Sequence, residues 1–341
     1  MRTIAELEAI ARERLDPAHY DYYAGGAGEE ATLRANEREF HDRVLVPRVL
    51  RAVGKHELAV EIAGSPLSMP ILVCPTAFHR LAHPDGELAT ARATAEAGTV
   101  FVCSMASTTA VEDVAKVADV LWFQLYFQSD RKFTEAVLNR AENAGARALV
   151  VTVDSAVRGR REREYRNAFH DLPPGLAAEN MRDETGRVRD IEMPADLTWE
   201  DLDWLREVTN MPMFLKGVVH PEDARRAVAA GIDGIFVSNH GGRQLDGEIS
   251  SLAALPEIAS IVDGRVPLIL DGGVRSGADV VKALALGADA VGVGRPVLWG
   301  LAAAGQEGVA EVLERLREET DTALALCGAR NPGELTADLV R

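Results

Sequence analysis

The chain has 341 residues, 47% hydrophobic and 26% charged, with a net charge of −16. That balance supplies core for a globular enzyme, repels nucleic-acid phosphates and anionic membrane surfaces, and leaves no stretch near the roughly 20 apolar residues of a membrane span. An anionic ligand must then be drawn by a local basic cluster, while length alone fits two average domains or one α/β barrel of about 250 residues with additions.

Cys74, Cys103 and Cys327 are far apart and match neither a zinc spacing nor a disulfide framework. With no signal peptide at Met1-Arg2-Thr3, the expected location is cytoplasmic.

From the N terminus, Ile4, Leu7, Ile10, Ala11 and Leu15 keep a three-to-four residue spacing, which predicts a helix over 3–23 that stops at Gly25-Gly26. Tyr22 and Tyr23 stand beside that turn, where a phenol either reaches a pocket or caps the core. A second helix is predicted over 29–40, and a linking stretch runs to Ser68.

Eight short apolar runs follow: Ile71–Pro75, Val100–Met105, Val120–Tyr126, Ala148–Asp154, Met213–Val218, Gly234–Asn239, Leu268–Gly273 and Ala290–Gly294. Each reads as a strand buried on both faces, as in a parallel sheet. Helices are predicted over 86–97, 131–144, 221–230 and 277–286, stopped by Ala-Gly or Leu-Gly pairs. The fold class is therefore α/β, a (β/α)8 TIM barrel over about 68–310 with N-terminal (1–67) and C-terminal helical additions in a single domain, 1–341. A doubly wound sheet is the lesser alternative.

In such a barrel the chemistry belongs at the C-terminal ends of the strands, where the polar residues of this chain gather. Run three ends Gln124-Leu125-Tyr126, run four Thr152-Val153-Asp154 and run six Ser238-Asn239-His240. Run five carries Lys216, an ammonium that burial makes costly unless it meets an anion or an electron-rich cofactor. Asp271-Gly272-Gly273-Val274-Arg275 after run seven and Gly294-Arg295 after run eight combine exposed backbone N–H groups with two guanidiniums, which suits a phosphate. The long charged loop from Ser155 to Trp199, with Arg158-Gly159-Arg160-Arg161 near its start, is solvated surface or a lid.

The densest chemistry is Ser238-Asn239-His240-Gly241-Gly242-Arg243-Gln244-Leu245-Asp246, a proton acceptor and an anion clamp three residues apart on one turn. With Pro75-Thr76-Ala77, Gln124-Leu125-Tyr126, Thr152-Val153-Asp154, Leu215-Lys216-Gly217 and Asp271-Gly272-Gly273, it resembles the FMN-dependent 2-hydroxy acid oxidases and dehydrogenases over nearly the whole chain.

The resemblance implies FMN across the barrel mouth. Pro75, Thr76, Ala77, Cys103, Gln124, Thr152, Lys216 and Ser238 would line its ring, and Asp271, Gly272, Gly273, Arg275, Gly294 and Arg295 would hold its phosphate. It implies a substrate carboxylate gripped by Tyr22, Arg161 and Arg243, with Tyr126 near the hydroxyl and His240 as general base oriented by Asp154. His240 takes either the α-proton or the hydroxyl proton, and both schemes need the same residues.

Met105, where glycolate oxidases carry Trp and lactate oxidases Tyr, implies a larger side-chain pocket. Phe78-His79 and His83-Pro84-Asp85-Gly86 look closest to hydroxymandelate oxidases, so an aryl substrate is expected. Ala77 is shared with the oxidase members, which favours O2 over another electron acceptor. Family members are often tetramers, so a homo-oligomer is expected, with no nucleic-acid or membrane partner. The rival readings are a dehydrogenase of an aliphatic 2-hydroxy acid, a flavin barrel that isomerises without net redox, a flavin-free barrel using Lys216 as a Schiff base, and a flavin carrier without turnover.

Overall fold

The computed structural model describes residues 1–341. Its N-terminal stretch forms α1 (Ile4–Arg14), α2 (Pro17–Ala24) and α3 (Ala31–Asp42). The single helix expected over 3–23 is broken because Pro17 takes the first position of α2, where the preceding Asp16 caps it by accepting the Ala18 N–H at 2.8 Å. The linking stretch holds a hairpin that sequence periodicity did not announce, β1 (Val60–Ile62) antiparallel to β2 (Ser65–Leu67). Three-residue strands are too short to alternate visibly.

All eight apolar runs are strands: β3 (Ile71–Val73), β4 (Val100–Ser104), β5 (Val120–Leu125), β6 (Leu149–Thr152), β7 (Met213–Val218), β8 (Gly234–Val237), β9 (Leu268–Asp271) and β10 (Ala290–Val293). They close as a parallel barrel in the order β10-β3-β4-β5-β6-β7-β8-β9, so the doubly wound alternative falls. All but β7 stop one or two residues before the expected end, because the residues that close each run have left the ladder. Packed around them are α4 (Gly86–Glu96), α5 (Val111–Ala115), α6 (Arg131–Asn143), α7 (Glu162–Arg166), α8 (Trp199–Val208), α9 (Pro221–Ala229), α10 (Ser251–Val262), α11 (Gly277–Ala285) and α12 (Arg295–Leu326). No helix is long and apolar enough to cross a membrane.

Inside the barrel, Leu72, Val102, Trp122, Val150, Phe214, Phe236 and Ile269 form one buried cluster with Ile62 and Leu67 of the hairpin. Trp122 Nε1 donates to Ser65 Oγ at 3.0 Å, so the hairpin closes the N-terminal end. Gly234 makes room for this layer, since a Cβ there would stand 2.0 Å from the Phe214 ring. Side chains two apart on a strand share a face, so the next layer is Ser104, Gln124, Thr152, Lys216, Ser238 and Asp271. One step toward the C-terminal mouth thus changes the interior from apolar to polar.

Candidate active site

The polar layer is hydrogen-bonded within itself. Ser104 Oγ donates to Gln124 Oε1 at 2.9 Å, and Gln124 Nε2 donates to Thr152 Oγ1 at 3.0 Å. Lys216 Nζ lies 2.9 Å from Asp271 Oδ2 and donates to Ser238 Oγ at 2.9 Å, while Ser238 donates to Asp271 Oδ1 at 2.6 Å. Burial opposes the charge on Lys216, but the Asp271 and Asp154 carboxylates outweigh it and raise the ammonium pKa. Lys216 therefore does meet an anion, supplied by the protein itself. Asp271, expected at a phosphate, lines the cavity but turns its carboxylate to Lys216 and Ser238 instead.

Above this floor the chain leaves β8 and places His240 at a φ of 58°, followed by Gly241 at 61° and Gly242 at 72°. A non-glycine residue in the left-handed region is strained and persists only when its surroundings hold it. The restraint comes from α3. Asn36 and Asn239 exchange side-chain hydrogen bonds of 2.9 and 2.8 Å, and the Leu33 backbone is so near Gly242 that a Cβ would stand 2.6 Å from Leu33 N.

His240 Nδ1 is 2.9 Å from Asp154 Oδ1, and its Nε2 lies 3.4 Å from the Tyr126 hydroxyl. Burial lowers the His240 pKa against the pull of Asp154. Burial works to raise that of Asp154, but His240 and Lys216 outweigh it and keep the carboxylate ionised. The imidazole is thus a neutral base backed by a fixed anion. Burial, with the Asp154 charge, pushes the Tyr126 phenol up to about 12, so it remains a donor.

Gly217 is part of this device: it has a φ of 109°, and a Cβ there would stand 2.5 Å from Asp154 Cβ and 2.6 Å from Oδ2. Gly217→Ala should move the carboxylate off Nδ1 and cost about 10²-fold in substrate oxidation while the protein stays folded, because angstrom misplacements in a site cost that much. Turnover within two-fold of the unsubstituted protein would show that the close approach is not needed.

Two guanidiniums line the same cavity as His240. Arg243 Nη1 donates to the Tyr22 and Gly25 carbonyls at 2.6 and 2.8 Å, and its guanidinium carbon stands 5.1 Å above the Tyr22 ring. Burial and the neighbouring Arg161 lower the Arg243 pKa to about 10, still cationic at neutral pH. Arg161, 8% exposed, donates through Nε to the Arg243 carbonyl at 3.2 Å. Tyr22 lines the cavity, whereas the Tyr23 hydroxyl, near the same space, is tied to the Phe78 carbonyl at 2.6 Å.

The cavity measures about 940 Å³. Pro75, Thr76, Ala77, Phe78, Gln124, Tyr126 and Thr152 line it, with Gly272, Gly273, Arg275, Gly294 and Arg295 at one end. Arg275 is paired with Glu37 at 2.8 Å. Arg295 pairs with no carboxylate and donates only to the carbonyls of Tyr23, Gly241 and Gly25, and burial lowers its pKa to about 9. Arg295 is thus a half-buried cation without a counter-ion, in the same cavity as Gly272 and Gly273 at φ of 91° and 92°.

Ser238, expected against the ring, is fully buried beneath Lys216 and does not itself line the cavity, and two further expected site residues are elsewhere. Cys103 lies between Val102 and Ser104, so the alternation of β4 turns it out of the barrel into the packing against the helices, and Ser104 faces the cavity in its place. Met105 is fully buried and does not line the cavity, whereas Ala106 does. Asp246, the end of the His240 motif, accepts the Glu29 and Thr32 N–H groups at 2.9 Å, which caps α3 instead of serving the site.

The loop after β6 contributes more than its charge announced. Phe169, Leu172, Leu176, Val188, Ile191 and Met193 line the cavity, and Glu164 on α7, 6% exposed, reaches both guanidiniums. The spacing of these apolar residues follows no regular period, which is why the sequence did not mark them.

Known proteins resemble this chain along nearly its whole length. A family model described as FMN-dependent dehydrogenase matches residues 11–341. An L-lactate oxidase of Nostoc sp. is 46% identical over 95% of this chain and 93% of its own length, and glycolate oxidase 1 of Zea mays is 44% identical over 98% and 94%. A crystal structure of mandelate oxidase with (S)-2-phenylpropionate superposes with a TM-score of 0.93 at 44% identity, covering 99% of this chain and 97% of that one. Matched by that family model over residues 11–341 and by these relatives over nearly its whole length, the chain, a closed parallel barrel, belongs to the FMN-dependent 2-hydroxy acid oxidase and dehydrogenase family, oxidoreductases acting on CH–OH groups.

Proposed function

We propose that this protein oxidises an (S)-2-hydroxy acid to the 2-oxo acid, with aryl acids such as mandelate or 4-hydroxymandelate as its substrates, and returns the electrons to O2 as H2O2. The observation that carries the reading is that His240, paired with Asp154 at 2.9 Å, lines one cavity with Arg161, Arg243, Arg275 and Arg295.

The residues present fit FMN. The cation of Arg295 has no carboxylate partner, and a Cβ at Gly273 would stand 2.2 Å from the Asn36 carbonyl oxygen, so only glycine leaves that backbone where it is. Arg275, Arg295, Gly272, Gly273 and Gly294 would hold the phosphate, while Pro75, Thr76, Ala77, Gln124, Thr152 and Lys216 would surround the ring, with Ser238 beneath them positioning Lys216. Bound there, FMN supplies the two-electron acceptor for the reaction.

Arg161, Arg243 and the Tyr22 phenol orient the substrate carboxylate through forked, charge-assisted hydrogen bonds. Tyr126 donates to the substrate hydroxyl, and His240 Nε2 takes the proton that leaves. Asp154 then stabilises the imidazolium. Phe78 and the apolar loop residues Phe169, Leu172, Leu176, Val188, Ile191 and Met193 supply a wall for an aryl group. The aryl reading now rests on that wall and on the solved mandelate oxidase relatives, since Met105 lies outside the cavity.

The pH dependence follows from the base. His240 has a lowered pKa, so it is unprotonated at neutral pH and loses its function as the pH falls. Flavin reduction should be flat above about pH 6.5 and decline below it as the imidazole charges. Asp154→Asn removes an anion that raises this pKa, so the acid limb should move to still lower pH as the rate drops. Stopped-flow reduction across pH reads both, and an acid limb above the ordinary histidine range would contradict the assignment.

The test of the function is anaerobic bleaching of the bound flavin by glycolate, L-lactate, each mandelate enantiomer and 4-hydroxymandelate, followed by air. Fast bleaching by one aryl enantiomer with quick recovery in air is expected. Faster bleaching by glycolate or lactate would replace the aryl reading with the aliphatic one, and slow recovery would point to another electron acceptor. A homo-tetramer in the cytoplasm belongs to the same proposal. The three buried free cysteines suit a reducing compartment, and light scattering and cell fractionation check the two points.

A further inference from the structure

Two guanidiniums side by side in a buried site repel each other, and the structure answers that repulsion with one carboxylate. Glu164 Oε1 lies 3.3 Å from Arg161 Nη1 and 3.1 Å from Arg243 Nη2, so a single oxygen bridges both. The Glu164 side chain is 7% exposed, and those of Arg161 and Arg243 are 9% and 15% exposed. Arg158 reaches the other oxygen, Oε2, at 2.7 Å, but its side chain is 55% exposed and its charge is screened by solvent.

Glu164 does not fill the clamp. Arg243 gives Nη1 to two backbone carbonyls and one Nη2 hydrogen to Glu164, which leaves its Nε–H and the second Nη2 hydrogen without a partner in the protein. Arg161 spends Nε on the Arg243 carbonyl, one Nη1 hydrogen on Glu164 and one Nη2 hydrogen on Gln244 Oε1 at 3.4 Å. Each guanidinium keeps two donors for a ligand, while the buried charge of the trio falls from two positive to one.

From this we infer that Glu164 sets the charge of the clamp, matching it to one carboxylate and disfavouring a dicarboxylate of the same size. The inference rests on the reading that Arg161 and Arg243 receive the substrate carboxylate, and it assigns specificity for monocarboxylic 2-hydroxy acids to a residue that need not touch the substrate. Removing the Glu164 charge would leave the geometry to the backbone carbonyls that already hold both arginines, and would add a full positive charge a few ångström from the ligand.

The experiment is calorimetric titration of the FMN-loaded protein with malonate and with its half-amide, malonamate, at mildly alkaline pH. The two acids have nearly the same shape and differ by one charge. The unsubstituted protein should bind malonate no tighter than malonamate. Glu164→Gln should shift the affinity ratio toward malonate by about ten-fold, the effect of one charge at roughly 6 Å under an effective dielectric constant of about 40, between the protein and bulk-water limits. Glu164→Asp should keep the original ratio. A purely structural role would weaken both acids alike and leave the ratio unchanged, which would overturn the inference.

A preference for malonate of ten-fold or more in the unsubstituted protein would also overturn it, and that measurement needs no variant to fold. The clamp itself is read separately. Malonamate binding that is lost in Arg243→Met upholds the clamp whatever the ratio does, while binding of neither acid overturns the clamp and the inference with it.

Discussion

His240→Ala is expected to keep bound FMN and to lose anaerobic flavin reduction by about 10²–10⁴-fold, the contribution of a positioned general base. The groups assigned to the flavin phosphate and ring, Arg275, Arg295 and Lys216, make no hydrogen bond to the His240 side chain, so cofactor binding should survive. The base itself has no substitute nearby. Tyr126 is pushed up to about 12 and stays protonated, and Asp154 lies behind the ring at 2.9 Å from Nδ1, on the side away from Tyr126.

Backbone strain is the confounding effect, because His240 sits at a φ of 58°. Alanine in that conformation keeps a cost of about 1–2 kcal/mol that glycine relieves. His240→Gly should therefore be the more stable variant and equally slow. Near-normal reduction in either would refute the role given to His240.

Lys216→Met is expected to be the most damaging substitution to stability, at about 3–5 kcal/mol, because it leaves a buried anion without its partner. Asp271 is 6% exposed and keeps only the Ser238 hydroxyl and the Cys74 thiol once the ammonium is gone. Urea denaturation should show the loss directly. Adding Asp271→Leu to the same chain should restore much of the stability, since replacing a buried ion pair by apolar side chains is often neutral or favourable.

The double variant should nevertheless reduce its flavin slowly. Lys216 is the one cation in the polar floor of the barrel, where its ammonium would offset negative charge on the ring of a bound flavin. Recovered stability with fast flavin reduction would leave Lys216 a purely structural role. Loss of stability in the single variant below about 1 kcal/mol would instead mean that the Lys216–Asp271 pair is weakly coupled.

The parts of the site that the sequence revealed share one property: they lie within a few residues of each other or at strand ends. His240 and Arg243 stand on one turn, and Gln124, Thr152 and Lys216 close apolar runs that announce themselves as strands. Glu164 was legible only as one more charge in a charged loop, although it is what joins Arg161 of that loop to Arg243 after β8. Asp271 was read by its neighbours, two glycines and an arginine, as part of a phosphate loop, and its true partner is 55 residues away by the numbering of Lys216 and Asp271. Cys103, expected against the flavin ring, turns outward, and Ser104 takes the inward place.

That last error shows where local information ends. In a strand with one wet face the polar residues mark its inside and outside, but a parallel barrel buries both faces and every position of β4 is covered. By itself the sequence determined the eight buried strands, their order with intervening helices, and the base-and-clamp motif at the end of β8, because apolar runs, glycine stops and catalytic residue types are local signals. Only the tertiary structure decided which side of each strand faces the cavity, that Lys216 is neutralised by Asp271, that α3 holds His240 in a left-handed conformation, and that Glu164 sits between the two arginines. Those outcomes depend on register and on contacts between segments far apart in the chain, where a side chain's partner is set by packing and not by its neighbours in sequence.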